Sequence, residues 1–250
     1  MTGTSKYYQA ATGVIEAIRK EEQSKISAAA VILADQIAQG NLINVFGSGG
    51  HSFIGAEEMF YRAGGLVPVN PIFETGVSLP PGALRSTAIE RTPGFMPGIL
   101  ATYGLKAGQV MIIVNAYGIN SATIDTALTC RKLGLKTIAL TSPRIALALA
   151  PNHPSRHPSG KNLHEIVDLY IDTHVPMGDA AVDLAGFAER VGPVSTIATA
   201  FTIESMVIET IELLIQRGID PPVWKSGNSP GGDEYNQKFL DKYTGVIKHL

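Results

Sequence analysis

Leu42-Ile43-Asn44-Val45-Phe46 is a short β-rich run, and Gly47-Ser48-Gly49-Gly50-His51-Ser52 follows it at once. Phe53 to Ala63 then reads as a helix, with Gly64-Gly65 as its stop. A strand that passes through a glycine loop into a helix is the opening of a βαβ unit. Consecutive glycines let the main chain approach a ligand closely, and the first amides and dipole of the helix favour an anion there. Ser48 and Ser52 add hydroxyl groups. Ser48, Gly49, Gly50 and Ser52 are therefore candidate ligand-binding residues suited to a phosphate or a carboxylate. Two nucleotide-binding loops do not fit. The dinucleotide fingerprint requires glycine where Ser52 stands, and no suitable acid follows at 67–70; the P-loop requires Gly-Lys-Ser/Thr, which is absent.

Working outward, the alternation continues. Leu66 to Val69 reads as a strand, and Val110-Met111-Ile112-Ile113-Val114 as one buried on both faces. Ser121 to Leu133 reads as a helix, with Ser121 as its cap and Gly134 as its stop. Lys136 to Leu140 and Ile166 to Ile171 read as further strands, and residues 194–217 as a final apolar helix. Upstream, apolar stripes at spacings of three and four predict helix over residues 4–39, ended by Gly40 and Asn41. Strands alternating with helices imply a parallel sheet, whose ligands lie beyond the carboxyl ends of the strands. Three Pro- and Gly-rich segments, 70–98, 142–163 and 219–236, are expected to be long functional loops. The chain reads as a single domain: a helical segment 4–39, an α/β core 41–217, and a C-terminal loop and tail 218–250.

The 250 residues suit one large domain, and 45% apolar content excludes a disordered chain. A net charge of −2 gives no drive toward nucleic-acid phosphates. Cys130, the single cysteine, excludes an intramolecular disulfide and fits a reducing compartment. No apolar run is long enough for a membrane helix, and charged residues interrupt the first thirty positions. A cytoplasmic protein with no membrane and no nucleic-acid partner is the expectation, and no cofactor or metal is called for.

A second polar loop, Asn115-Ala116-Tyr117-Gly118-Ile119-Asn120-Ser121, also lies between a buried strand and a helix. Loops at the ends of neighbouring strands converge on one ligand, which adds Asn115, Asn120 and Ser121 to the candidates. His153, Arg156, His157 and Lys161 form a basic loop, with His157 as a further ligand contact. His153 and His157 are four apart, but Pro154 and Pro158 exclude a helical metal pair. Gly227-Asn228-Ser229-Pro230-Gly231 has the letters of a nucleophile elbow, but no strand precedes it and Pro230 blocks the helix start.

The two strand–loop–helix units resemble the sugar isomerase (SIS) domain of phosphosugar isomerases and phosphosugar-binding regulators. The resemblance is closest to a subgroup of stand-alone SIS proteins and covers nearly the whole chain. Its strings are Glu57 to Gly65, Pro154-Ser155-Arg156-His157 with Ser159-Gly160-Lys161, Gly192-Pro193 with Ser195-Thr196-Ile197-Ala198, and Gly231-Gly232-Asp233-Glu234 with Asn236. It implies a three-layer α/β/α fold around a five-stranded parallel sheet, a sugar phosphate as ligand, and a homodimer or homotetramer. Two departures stand out. The first loop fits Gly-x-Gly-x-Ser only with one extra glycine, and Asn115 and Tyr117 replace the two serines that hold phosphate in the second loop.

The resemblance implies aldose–ketose isomerisation through an enediol; a non-catalytic phosphosugar sensor or a sugar-phosphate lyase are the alternatives. Isomerisation needs a base between adjacent carbons and a donor to the carbonyl. Glu57 and Glu58 differ by about 100° around their helix, so one of them faces the site. His51 lies in the first loop, where the helix dipole favours a neutral imidazole. Glu204 is a carboxylate on an otherwise apolar helix, where poor solvation makes a base for near-neutral pH. It also falls at the place of the catalytic histidine of phosphoheptose isomerases, with Glu209 at a second histidine's place and Arg62 near their glutamate's. Glu204, assisted by His51 or Glu58, is the expected base.

Overall fold

A computed structural model describes residues 1–250. Two helices, α1 (Gly3–Glu21) and α2 (Gln23–Ala38), precede the first strand. The sequence predicts one continuous helix here. The break falls at Glu22, whose buried carboxylate turns inward to accept from Lys25 Nζ and from the main-chain amide of Asp172. The order continues β1 (Ile43–Gly47), α3 (Phe53–Met59), β2 (Val69–Pro71), α4 (Ala83–Glu90), α5 (Phe95–Leu100), β3 (Val110–Val114) and α6 (Ser121–Leu133). Then come β4 (Lys136–Thr141), α7 (Pro143–Ala148), α8 (Leu163–Ile166), β5 (Leu169–Asp172), β6 (Ala180–Val182), β7 (Val191–Pro193), α9 (Ser195–Gln216) and α10 (Gly232–Tyr243).

Strands β1 to β5 form one parallel sheet in the order β2-β1-β3-β4-β5. Side chains alternate across it and bury both faces. Ile43, Val45, Val110, Ile112 and Ile138 meet Ile18, Leu33, Ile203 and Met206 of α1, α2 and α9. Phe46, Met111, Ile113 and Ala139 meet Met96, Ile124, Ala127 and Cys130 of α5 and α6. This is the three-layer α/β/α arrangement expected. Burial pushes the Cys130 thiol up to about 12, so it stays protonated inside the second layer.

The differences lie at element ends, within segments 70–98 and 180–193, and after α9. Helix α3 stops at Met59, short of Ala63: Phe60 is extended, Tyr61 takes φ +52, and Gly64 and Gly65 bond to Trp224. The second strand begins at Val69, while Leu66 only bridges to Val223. The segment 70–98 holds β2, α4 and α5, and residues 180–193 hold the antiparallel pair β6–β7. Residues 218–250, expected as a loop and tail, contain α10, which seats Phe239 and Tyr243 with Trp224 against Val67.

Register sets the site. Gly47 pairs with Val114, so Ser48 and Asn115 leave the sheet side by side. In a 2-1-3-4-5 sheet the chain reverses its winding at β1 and β3, and the crevice beyond their carboxyl ends is the ligand position.

Candidate functional site

The two loops are tied together by buried side chains. Asn115 Nδ2 donates to the Ser48 carbonyl at 2.8 Å, while its Oδ1 accepts from the Gly118 amide at 2.7 Å. The fully buried Ser48 hydroxyl bonds to Thr123 Oγ1 and contacts Asn120 Oδ1 at 3.3 Å. Asn120 caps α6 by accepting from the Thr123 amide at 2.8 Å. The cap is thus Asn120, not Ser121: Asn120 is the last extended residue before the helix, and Ser121 is already its first turn. Ser121 is buried, and its hydroxyl has no hydrogen-bond partner.

The first loop needs its glycines. Gly49 has φ +87, and a Cβ there would overlap Glu90 Oε2. A Cβ on Gly47 would overlap the Ser52 carbonyl. Ser52 is half-buried, and its hydroxyl makes no capping bond to α3.

Beyond the loops lies a cavity of about 350 Å³, lined by Glu90, Asn115, Tyr117, Asn120, His153 and Ser155 among others. Glu90, the last residue of α4, reaches across both loops. Its Oε2 packs on Gly49, and its Oε1 accepts from Asn120 Nδ2 at 3.1 Å. Burial raises its pKa, against the opposing pull of Arg91 and the Asn120 bond.

A second, small cavity of about 30 Å³ lies between α3 and α9, lined by His51, Glu58, Thr196 and Thr199 among others. Glu58 faces α9, while Glu57 is exposed. Arg62 Nε lies 3.1 Å from Glu58 Oε1 and 3.9 Å from Glu204 Oε1. The Glu204 side chain is 38% exposed; partial burial raises its pKa, and the charge of Glu58 adds to the rise. The structure thus sorts the expected residues into two groups. Asn115 and Asn120 line the larger cavity, whereas His51 and Glu58, with Glu204 nearby through Arg62, belong to the α3–α9 side.

A SIS domain family model matches residues 6–142, more than half of the chain. A UPF0309 protein of Geobacillus thermodenitrificans is 38% identical over 245 residues, spanning 98% of this chain and 96% of that relative. The chain is a SIS domain protein of the UPF0309 family. Solved structures of two phosphoheptose isomerases share its fold. That from Francisella tularensis has a TM-score of 0.51 at 14% identity, covering 85% of this chain and all of that one. That from Neisseria gonorrhoeae has a TM-score of 0.50 at 15% identity, covering 85% and 97%.

Within this SIS domain, the basic loop 150–162 is mostly self-satisfied. Arg156 donates to the carbonyls of Ala146, Leu149 and Ala150 and to Asn162 Oδ1. His157 turns to Asp125 at 3.2 Å, and its Nδ1 accepts from the Ser159 amide. His153 and Ser155 line the cavity instead. No three His, Cys, Asp or Glu side chains are grouped so as to hold a metal ion. Glu90 is the residue that sequence reasoning missed. Its partners Gly49 and Asn120 are distant in the chain, and Ala83–Glu90 sits inside a segment read as loop.

Proposed function

We propose that this SIS protein binds a sugar phosphate in the crevice at the β1/β3 switch point and interconverts its aldose and ketose forms through an enediol. The observation that carries the reading is the crevice itself. Register brings two polar loops to one place, and a cavity of about 350 Å³ with carboxylate and amide lining adjoins them. Volumes of this order suit a small metabolite. The phosphoheptose isomerase structures that share the fold act on a sugar phosphate by name, and that supports the substrate class. Ser48 and Asn115 spend their side-chain groups on the protein, so phosphate recognition falls to the main-chain amides of Gly50 and His51 and to Ser52. In this reading, as in other SIS proteins that assemble, two or four copies form a symmetric oligomer.

The test is calorimetric titration with pentose, hexose and heptose phosphates beside their unphosphorylated sugars. Binding of a phosphorylated sugar, with the unphosphorylated one far weaker, supports the reading. A hydrogen bond to a charged group contributes roughly 1.5–3 kcal/mol, so Ser52→Ala is expected to weaken that binding about 10- to 100-fold. Equal affinity for both sugars would remove phosphate from the account.

A further inference from the structure

We propose that Glu90 is the carboxylate that faces the sugar's carbons and carries the proton between them, and that it orients the bound sugar with its phosphate away from Gly49. This rests on the isomerase reading above and names the group that performs its proton transfer.

The argument begins with what Glu90 touches. It is the carboxylate that bridges the two loops of the switch point, through Gly49 on one side and Asn120 on the other. Both were expected to contact the ligand, Gly49 through its anionic group. A phosphate dianion placed on them would lie against this carboxylate, and like charges at such range repel strongly in a poorly solvated crevice. The phosphate is thereby directed toward Ser52, and the carbon chain toward the cavity that Glu90 lines.

A purely structural carboxylate in a largely buried place is ordinarily matched by a cation. Glu90 makes no ion pair within 4.0 Å; its partner is the neutral Asn120 amide. Arg91, Tyr117 and His153 are the other charged or titratable side chains that line this cavity. Burial raises the pKa of Glu90, which moves it toward the range useful for a base near neutrality.

The chemistry balances within the substrate. From the open-chain aldose, Glu90 takes the proton on C2, and the C2–H electron pair becomes the C1–C2 double bond of the enediol. The hydroxyl proton of O2 is exchanged for one on O1, and Glu90 returns its proton to C1. One hydrogen moves from C2 to C1 and one from O2 to O1, with nothing gained or lost. A carboxylate on one face of the enediol performs both transfers.

Glu90→Gln keeps the shape and the Asn120 contact but cannot accept the proton. On the full chain, with the sugar phosphate that wild type turns over best, kcat is expected to fall at least 100-fold while melting shows a folded protein. The ionisation that limits the acidic side of the wild-type pH–rate profile should vanish from the residual rate. Glu90→Asp, a shorter base, should recover part of the loss. Inorganic phosphate, used as a probe of the cradle, should bind Glu90→Gln more tightly than wild type at pH 8. Normal turnover in a folded Glu90→Gln protein would overturn the proposal. That result is distinct from failure of the isomerase reading, in which wild type itself binds sugar phosphates and turns over none.

Discussion

The Asn115 side-chain amide donates to the Ser48 carbonyl at 2.8 Å, and through that bond the loop after β1 is locked to the loop after β3. The same side chain accepts from the Gly118 amide, so one residue shapes its own loop and fixes the neighbouring one. Asn115 serves both because its amide both donates and accepts.

Asn115→Ala would strand the buried Ser48 carbonyl and the Gly118 amide together. Each unpartnered buried group costs about 1–3 kcal/mol. Chemical denaturation should therefore show a loss of at least 1 kcal/mol in unfolding free energy. An unchanged denaturation midpoint would mean that water replaces both bonds.

Gly49→Ala tests the contact with Glu90. The residue holds φ +87, and its new Cβ would overlap Glu90 Oε2. Glu90 sits at the end of a flexible side chain and can swing away, so the fold should survive. Activity should not: turnover is expected to drop at least tenfold, with a melting shift of a few degrees from the strained backbone. Gly47→Ala should be far worse for folding, because there the obstacle is the Ser52 main chain.

Stability should depend on pH through Glu90. Burial favours its protonated form, so its folded-state pKa lies above the ordinary 4.5. The stabilisation that follows is complete below the unfolded value and is lost as pH rises through the folded value. Glu90→Gln removes this titration. The variant should melt higher than wild type at pH 7–8, with the difference shrinking below about pH 4.5. Parallel melting curves across that range would show that the carboxylate is solvated in the folded protein.

Glu204→Gln should fold almost normally. Its side chain is 38% exposed and its contact with Arg62 is 3.9 Å. Ion pairs this open contribute about 0–1 kcal/mol. A loss of 3–5 kcal/mol, the cost of breaking a buried pair, would contradict that geometry.

The sheet was legible because its signal is local. Val110 to Val114 is continuously apolar, Ile138 to Leu140 is an apolar core within the next strand, and glycine or asparagine marks the helix ends at 40–41 and 134. The break at Glu22 was not legible, because its cause is a contact with Asp172 at the far end of β5. Helix α10 was hidden by the Pro- and Gly-rich run before it, although Tyr235, Phe239 and Tyr243 follow at helical spacing. At the site, both polar loops could be read from strand–loop–helix order. The reach of Glu90 to Gly49 could not, since α4 carries no strong apolar period and its partner lies 41 positions away (90 against 49). Likewise, Asn115 and Ser48 read as ligand donors until their buried bonds to one another are seen.

The most direct test of the isomerase account is solvent-hydrogen exchange during turnover. Wild type is incubated in D₂O with a panel of aldose and ketose phosphates, and deuterium at the carbons flanking the carbonyl is followed by NMR. The account predicts interconversion of one aldose–ketose pair with deuterium entering at C1 of the ketose or C2 of the aldose. A sugar phosphate that binds tightly yet shows neither interconversion nor exchange would contradict it and mark the crevice as a binding site alone.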